Sequence, residues 1–391
     1  MEMEEIIIMH LSERTKAVGE SKIAKSLVVF ERDSSIISLG AGEPDFPAPK
    51  NVIAAAKKWL DKGYTHYSSL QGRLDLREAI AKKVKKENKI EATPEEVIVT
   101  CGSKEAILLA MLSTADPGDE VIIPDPGYVA YRPIAKTINA IPVSLHLREN
   151  DEFNISAEML KKVITEKTRL LVLNSPANPT GAVFKKKSLE EIADVVVEKN
   201  LTVLTDEAYE KLVYDDVRHI SFASLNGMKQ YTVTLQTFSK SYAMCGFRIG
   251  YAVASKDIIK EMTEFKICTT LSAPTISQLA AIEALKAEKY VQKMRREYDR
   301  RRKMVMKRLN GMPNISCIKP EGAFYVFPNI TKIGMTSEQF TDFLLKEAKV
   351  LVIPGNEFGT YGGGYIRISY ATAYEKIEEA MNRIEKIIGK A

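Results

Sequence analysis

The stretch Thr237-Phe-Ser-Lys-Ser-Tyr-Ala-Met-Cys-Gly-Phe-Arg-Ile-Gly-Tyr251 decides the fold. It follows an apolar run over 231–236 that has the composition of a buried strand. The turn after this strand holds the hydroxyls of Thr237 and Ser239, and the guanidinium of Arg248 follows shortly afterwards. Hydroxyls and an arginine together suit a phosphate group, because arginine offers a planar fork of donors to phosphate oxygens.

Lys240 lies among these phosphate-binding groups and has apolar neighbours. A lysine amine in such a place can form a Schiff base with a carbonyl. Pyridoxal phosphate carries both an aldehyde and a phosphate, so it fits the whole stretch. The alternative is that Lys240 is one of 56 Lys and Arg residues and lies on a solvated loop. The rest of the chain has to decide between these interpretations.

Length and composition indicate a globular protein with a large core. The chain has 391 residues, of which 45% are hydrophobic, and its net charge is +5. This length is comfortable for two domains. The densest basic run, over 293–303, contains interleaved acidic residues and lies in a long helical pattern. It is interpreted as a solvated helix face, and we expect no binding of nucleic acid.

The cysteines and histidines are scattered and do not have the spacing of a metal site. They are Cys101, Cys245, Cys268, Cys317, His10, His66, His146 and His219. Because of this scattered spacing, we expect no metal. Reduced thiols are typical of cytosolic proteins, so we expect a cytoplasmic location. The N-terminus has acidic residues where a signal peptide needs basic ones. No apolar run approaches the length of a membrane span, so we expect no membrane association.

Between about residues 94 and 290, strands and helices alternate. Strands without polar alternation predict a mostly parallel sheet that is covered by helices on both faces. After about residue 290, a long charged helix, short strands and a final amphipathic helix predict a smaller α+β domain. We therefore predict three parts: an N-terminal arm with part of the small domain over 1–48, a large cofactor-binding domain over 49–290 and a small C-terminal domain over 291–391. Within the arm, a helix is predicted at about 12–32.

Polar residues follow several of these predicted strands. In an open parallel sheet, ligands bind beyond the carboxyl ends of the strands. The residues at these positions are Gly102, Ser103, Lys104, Tyr128, Asn178, Asp206, Tyr209 and Lys240. Taken singly, Asp206 could be a helix cap, Asn178 a turn former and Tyr128 ordinary packing. Their joint occurrence at one edge of one sheet favours a binding site.

Several motifs in this order resemble one known family. They are Leu39-Gly-Ala-Gly-Glu-Pro-Asp-Phe46, Asn174-Ser-Pro-Ala-Asn-Pro-Thr-Gly181, Asp206-Glu-Ala-Tyr209, the Lys240 stretch and Tyr365-Ile-Arg-Ile-Ser-Tyr-Ala371. The chain resembles the class I/II aminotransferases, which are pyridoxal-phosphate enzymes of fold type I. It is similar to the aspartate and aromatic aminotransferases of bacteria and archaea. The resemblance covers nearly the full length, and it implies the α/β fold described above.

The resemblance implies a role for each cofactor residue. Lys240 would hold the cofactor covalently and move a proton, with Asp206 and Tyr209 as the other catalytic residues. Asp206 would pair with the pyridine nitrogen and favour its protonated form. Asn178 and Tyr209 would bind the ring's phenolate oxygen, and Tyr128 would stack on the ring. The phosphate would be held by Gly102, Ser103, the Lys104 backbone, Thr237, Ser239 and Arg248.

The resemblance also implies a shared active site. Tyr67 corresponds to a tyrosine that reaches the phosphate from a neighbouring subunit. A site completed in this way implies a homodimer with active sites shared between subunits.

For the substrate, the resemblance points to Arg367 as the ligand of the α-carboxylate, assisted by Gly42 and Asn178 and lined by Tyr128. The alternative is that Arg367 forms a structural ion pair. Lys104 occupies a position where some aspartate-using relatives bind the distal carboxylate, which favours aspartate. Tyr128 stands where those relatives often have Trp, and this favours aromatic or broad specificity.

The resulting hypothesis is a transaminase that passes an amino group from an L-amino acid, with aspartate as the best candidate, to 2-oxoglutarate by a ping-pong mechanism. One alternative is an aromatic or broad-specificity, kynurenine-type aminotransferase. Another is a cysteine-S-conjugate β-lyase, which shares the Lys, Asp and Arg set. A pyridoxal-phosphate-binding regulator would carry a DNA-binding module ahead of this region, and the chain has only a short arm.

Overall fold

A computed structural model describes residues 33–388 together with Ser12 and Thr15. The helix predicted at about 12–32 therefore lies outside the described residues, apart from those two positions. Within the described part of the chain, no helix is long and apolar enough to cross a membrane.

The strands of the described residues are short, and most are buried. In chain order they are β1 (Ile37–Ser38), β2 (Val97–Thr100), β3 (Glu120–Asp125), β4 (Ile141–His146), β5 (Thr168–Asn174), β6 (Thr202–Asp206), β7 (Thr232–Thr237), β8 (Gly250–Val253), β9 (Tyr325–Val326), β10 (Val350–Leu351), β11 (Ile353–Pro354) and β12 (Ile366–Ser369).

The α-helices come between these strands and after them. They are α1 (Lys50–Asp61), α2 (Leu74–Lys83), α3 (Ser103–Thr114), α4 (Tyr131–Thr137), α5 (Ala157–Lys161), α6 (Lys186–Lys199), α7 (Phe238–Ser241), α8 (Lys256–Ile267), α9 (Thr275–Ala284), α10 (Glu288–Leu309), α11 (Ser337–Phe343) and α12 (Tyr374–Ile388).

The central sheet has seven strands in the order β2-β8-β7-β6-β5-β3-β4. The pairs between β7, β6, β5, β3 and β4 are all parallel, which confirms the prediction of a mostly parallel sheet. Strand β8 runs antiparallel to both of its neighbours and was not predicted. Gly250, the first residue of β8, pairs with Thr237, the last residue of β7. The chain therefore re-enters the sheet beside the position at which it left it. This return brings Arg248 beside the turn that holds Lys240.

Helices cover both faces of the sheet, because neighbouring side chains of a buried strand point to opposite faces. On one face, Ile122 and Leu171 pack with Leu189 of α6. On the other, Val121 and Leu170 pack with Met111 of α3. Burying one such side chain stabilises the fold by about 1.5–3 kcal/mol. These strands are apolar on both faces and are therefore buried between two layers of helices. Their burial holds the carboxyl ends of the strands, and the residues that follow those ends, in place.

The C-terminal region forms a separate hydrophobic cluster around α10 and α12. Its strands β11, β12 and β9 form an antiparallel sheet, and β1 pairs with β10. The N-terminal segment at Leu39 thus packs in the same cluster as the end of the chain. The predicted boundary after residue 290 falls inside α10, which is a continuous helix. The first of the short strands predicted in this region is β9, which has only the two residues Tyr325–Val326.

Candidate active site

A cavity of about 520 Å³ lies beyond the carboxyl ends of β2, β5, β6 and β7. This is the expected place for a ligand of an open parallel sheet. The cavity is lined by Gly42, Ser103, Lys104, Tyr128, Val129, Asn174, Asn178, Asp206, Ala208, Tyr209, Thr237, Ser239, Lys240, Arg248, Tyr325 and Arg367. Most of the predicted site residues are therefore together in one cavity.

Lys240 lies in the single helical turn α7, directly after β7. Thr237 caps this turn, because its hydroxyl accepts a hydrogen bond from the Ser239 backbone N–H at 3.2 Å. The Lys240 Nζ donates to the Gly42 carbonyl oxygen at 2.6 Å. A Cβ at residue 42 would lie 2.8 Å from the hydroxyl of Tyr325, so the loop reaches the lysine only with glycine there.

An anion cradle lies beside Lys240, at the N-terminus of α3. Gly102 has a φ of +84°, and a Cβ there would lie 2.8 Å from Nη2 of Arg248. The Thr237 Oγ1 and Ser239 Oγ are 3.1 Å apart, and the Arg248 Nη1 donates to the Cys245 carbonyl oxygen at 2.9 Å. Backbone N–H groups at a helix N-terminus, two hydroxyls and a guanidinium form a donor set that fits a phosphate.

Asp206 ends β6 and is fully buried. Its Oδ2 accepts a hydrogen bond from the Tyr131 hydroxyl at 2.8 Å, and its Oδ1 accepts one from the Ala208 backbone N–H at 3.2 Å. Burial raises the pKa of Asp206, against these two hydrogen bonds. A buried carboxylate of this kind is a strong partner for a protonated ring nitrogen, because an opposite charge would stabilise its ionised form.

The phenols of Tyr128 and Tyr209 lie on the cavity wall. Burial raises the pKa of Tyr128 to about 12. The Tyr209 and Tyr325 hydroxyl oxygens are 2.8 Å apart, and burial raises the pKa of Tyr209 well above its ordinary value. Both phenols are therefore neutral near pH 7, and the hydroxyl of Tyr209 can donate to a phenolate oxygen on a bound ring.

Arg367 is buried on β12 at the other end of the cavity. Its Nη1 donates to Asn178 Oδ1 at 3.0 Å, and its Nη2 donates to the Gly40 carbonyl oxygen at 2.6 Å. Its Nε is buried without a hydrogen-bond partner, and burial lowers the pKa of Arg367. Among the described residues no carboxylate pairs with it, so the structure gives no support to a structural ion pair. Such a guanidinium is a receptor for a carboxylate.

Two predicted site residues, Tyr67 and Gly102, do not line the cavity, whereas Lys104 lines it at the start of α3. The side chain of Tyr67 is 83% exposed. Gly102 contributes through its backbone conformation rather than through the cavity wall.

Four groups that the structure brings to the site had no predicted role. Tyr131 binds Asp206, Tyr325 binds Tyr209, and the side chain of Asn174 bonds to the backbone of both Asp206 and Asn178. The fourth group is the Gly40 carbonyl. Asn174 could have been found in the same way as Asn178, because it is also a polar residue at the end of a predicted strand. A backbone carbonyl cannot be found in this way, because every residue has one.

The sequence profile of the family Aminotransferase class I and II matches residues 34–384 of this chain. The aspartate aminotransferase of Pyrococcus abyssi is 48% identical over 384 residues, which cover 97% of this chain and 98% of that protein. The aromatic-amino-acid aminotransferase 2 of Thermococcus litoralis is 47% identical over 384 residues, with 97% and 98% covered.

Solved structures show the same fold. The aromatic aminotransferase of Pyrococcus horikoshii OT3 has a TM-score of 0.89 and 50% identity, with 94% of this chain and 99% of that chain covered. The aspartate aminotransferase of Thermus thermophilus with maleate has a TM-score of 0.92 and 36% identity, with 97% and 100% covered. The chain belongs to the class I and II aminotransferases and is a transaminase that depends on pyridoxal 5′-phosphate.

Proposed function

We propose that this aminotransferase takes aspartate as its amino donor and passes the amino group to 2-oxoglutarate by a ping-pong mechanism. The observation that carries the proposal is Arg367, a buried guanidinium that has no carboxylate partner among the described residues. Lys104 adds a further cation to the same cavity, besides Lys240 and Arg248, which are assigned to the cofactor. A dicarboxylic amino acid offers one carboxylate to each of them.

The residues divide the chemistry between them. Arg367, with Asn178 bonded to it and Gly42 on the same cavity wall, would fix the substrate carboxylate and so orient the Cα–H bond. The Lys240 Nζ takes the proton from the substrate Cα. When bound, pyridoxal phosphate supplies the ring that spreads the negative charge left on Cα. Asp206 would keep a proton on the ring nitrogen, and Tyr209 and Asn178 would donate hydrogen bonds to the phenolate oxygen of the ring.

The cofactor is held at its phosphate and on its ring face. The phosphate would be held by Arg248, Thr237, Ser239, Ser103 and the Gly102–Lys104 backbone. Tyr128 would stack on the ring. Its edge meets Tyr131 with ring centroids 5.4 Å apart, so the stacking residue and the residue that binds Asp206 support each other.

An aromatic donor is the second candidate, and two observations favour it. Relatives named as aspartate and as aromatic aminotransferases are almost equally identical to this chain, at 48% and 47%. Tyr325 also lies on the cavity wall, beside Tyr128 and Tyr209. An aromatic side chain would pack on these rings and would leave Lys104 without a role.

A scan of half-reactions tests the two candidates. Purified holoenzyme is mixed separately with aspartate, glutamate, alanine, tyrosine, phenylalanine or kynurenine, and the cofactor absorption and the keto acid are followed. We expect fast conversion by aspartate, lost in Lys104→Ala and kept in the matched variant Lys162→Ala, whose side chain is exposed. Fast conversion by aromatic donors in Lys104→Ala as in wild type would overturn the aspartate assignment. Pyruvate and ammonia from a cysteine conjugate, without bleaching of the cofactor absorption, would establish a lyase.

We further propose a homodimer in which Tyr67 of one copy reaches the phosphate in the other. The support is its exposure, together with the hydrogen bonds that hold its neighbours: Thr275 Oγ1 donates to the His66 carbonyl oxygen at 2.7 Å, and Gln278 Nε2 donates to Ser68 Oγ at 2.6 Å. The segment is thus anchored while its tyrosine projects outward. Analytical ultracentrifugation should give twice the mass of 43.7 kDa.

A cytoplasmic location completes the proposal. All four cysteines are free thiols, as is usual for proteins of a reducing compartment. Fractionation of the source cells should place the enzyme with the cytoplasmic markers, and recovery with secreted proteins would contradict the proposal.

A further inference from the structure

Asp125, the last residue of β3, holds a distant loop through its buried carboxylate. Its Oδ2 accepts a hydrogen bond from the Thr360 backbone N–H at 3.1 Å, and its Oδ1 accepts one from the Tyr361 backbone N–H at 3.0 Å. Ser144 Oγ also donates to Oδ2, at 2.7 Å. The Arg132 Nη2 lies 3.3 Å from Oδ2 and supplies the opposite charge. We name the bonds from Thr360 and Tyr361 to Asp125 the Asp125 latch.

The loop is shaped for this contact. Gly359 has a φ of +132°, and a Cβ there would lie 2.1 Å from the Asp125 Oδ1. Only glycine lets the carboxylate approach the two backbone N–H groups that follow it. On the other side, the Gly127 backbone N–H donates to the Phe358 carbonyl oxygen at 2.8 Å. The turn after β3 therefore holds the loop on both sides of Gly359.

Phe358 connects the latch to the substrate end of the cavity. Its buried ring has its centroid 4.8 Å from the guanidinium carbon of Arg367, and the Tyr325 ring lies 4.5 Å from the same carbon. Contacts of this kind attract a guanidinium and restrict where it can lie. Arg367 has no acidic partner among the described residues, so these rings and its hydrogen bonds to Asn178 and Gly40 define its position.

We propose that Asp125 is a positioning residue for the substrate carboxylate. By holding Thr360 and Tyr361, it keeps Phe358 against Arg367 and so fixes the guanidinium that receives the carboxylate. The turn that begins at Asp125 also carries Tyr128 on the cavity wall. The latch thereby sets the spacing between the ring-stacking residue and the carboxylate receptor. This inference rests on the proposed role of Arg367.

The test compares Asp125→Asn with Ser144→Ala in the holoenzyme. Asparagine keeps the size of the side chain, but its Nδ2 group would face one of the loop N–H groups. Both groups are hydrogen-bond donors, so one of the two loop hydrogen bonds would be lost. Ser144→Ala removes a bond to the same carboxylate and leaves both loop bonds. Maleate, an unreactive dicarboxylate, is titrated by its effect on the cofactor absorption. We expect its Kd to rise about tenfold in Asp125→Asn, the cost of one or two buried hydrogen bonds, and to stay within about twofold in Ser144→Ala.

Steady-state kinetics should show the same division. The KM for the amino donor should rise in Asp125→Asn more than kcat falls, while the affinity for pyridoxal phosphate is unchanged. Phe358→Leu tests the same inference with Asp125 intact, and its Kd for maleate should also rise. It decides the question if Asp125→Asn fails to fold, as judged by circular dichroism.

Arg367→Ala separates the failure of this inference from a failure of the proposed function. If Arg367→Ala loses maleate binding while Asp125→Asn and Phe358→Leu bind maleate as the wild type does, the latch inference is wrong and the role of Arg367 stands. If Arg367→Ala binds maleate as the wild type does, the proposed carboxylate receptor is wrong, and the latch inference fails with it. An equal rise of the Kd for maleate in Ser144→Ala would also overturn the latch inference, because it would show that any lost contact to Asp125 has this effect.

Discussion

Asp206 occupies a site that penalises its charge. Burial raises its pKa above the ordinary 3.8, and the hydrogen bonds from Tyr131 and Ala208 only partly offset this. In the folded, cofactor-free chain the carboxyl therefore binds its proton more tightly than in the unfolded chain. The free energy of unfolding must then fall as the pH rises from 3.8 towards the raised pKa. In the proposed complex, a protonated ring nitrogen would offset this penalty, so the carboxylate of Asp206 is suited to the cofactor-bound state.

Asp206→Asn should remove this pH dependence. In cofactor-free enzyme, we expect the stability of the wild type to fall relative to the variant as the pH rises above about 4, by about 1.4 kcal/mol for each unit of the pKa shift. Urea unfolding of both proteins across this pH range measures the difference. In the presence of cofactor, the variant should bind it more weakly. Stability curves with parallel pH dependence would show that Asp206 is not penalised in the fold.

The anion cradle at Gly102 can be tested with a substitution that has a matched control in the same chain. Gly102→Ala places a methyl group 2.8 Å from the Arg248 Nη2, whereas Gly118→Ala, at a φ of +91°, meets no atom within 4 Å. Both changes should cost about 1–2 kcal/mol of stability, because alanine is strained at a positive φ. Only Gly102→Ala should weaken the binding of pyridoxal phosphate, by about tenfold or more, since Arg248 must move. Equilibrium dialysis measures the affinity of each variant for pyridoxal phosphate. Equal affinities of Gly102→Ala and Gly118→Ala would contradict the assignment of the anion cradle to the phosphate.

At the scale of elements, a buried polar network ties α2 to the sheet. Lys83 donates to Glu210, to Asn88 Oδ1 at 2.8 Å and to Gln236 Oε1 at 2.6 Å. Burial opposes the ionisation of Glu210, but the charge and the hydrogen bond of Lys83 outweigh it and hold the pKa of Glu210 below its ordinary value. Gln236 directly precedes Thr237, so the network supports the strand that carries the cofactor turn.

Lys83→Met should therefore destabilise the protein by about 3–5 kcal/mol, because it leaves the Glu210 charge buried and unpaired. Lys162→Met removes an exposed ion pair to Glu158 of 2.6 Å and should cost less than about 1 kcal/mol. Denaturant unfolding of the two variants measures both losses. The double variant Lys83→Met with Glu210→Gln should regain part of the loss, and no regain would mean that the charge is not the cause.

The elements also show what the sequence could predict. Buried parallel strands were predictable because their apolar runs show no alternation, and the cofactor end of the site followed from the polar residues at their ends. Strand β8 was missed because Gly250–Val253 is short and continues directly from the motif around Arg248. The substrate end was harder, since Arg367 was found by resemblance. Tyr325, on a short apolar strand, looks like core packing until its hydroxyl is placed beside Tyr209.

For the whole molecule, the proposed homodimer with a shared site predicts complementation between two defective variants. Lys240→Ala and Tyr67→Ala are each assayed alone at limiting cofactor and then after the subunits have exchanged. A hybrid dimer has one site with both changes and one intact site, so a random mixture should regain about a quarter of the wild-type activity.

A second mixture controls for the first. Lys240→Ala mixed with Arg248→Ala should regain nothing, because both residues line the same cavity of one chain and every site in the hybrid is defective. Equal recovery in the two mixtures would place Tyr67 in its own subunit's site or outside the site altogether.

The cavity is built from two parts of the chain with different attachments. The residues proposed to hold the cofactor follow strands of the central sheet, whereas Tyr325 and Arg367 come from the C-terminal region, where Phe358 packs against Arg367. A substitution of Phe358 replaces none of the residues proposed to hold the cofactor, so we expect substrate preference to diverge more readily than cofactor binding. Overall identity is then a poor guide to the amino donor, as the values of 48% and 47% to an aspartate and an aromatic enzyme illustrate. An ancestor of these enzymes could change its donor with few mutations.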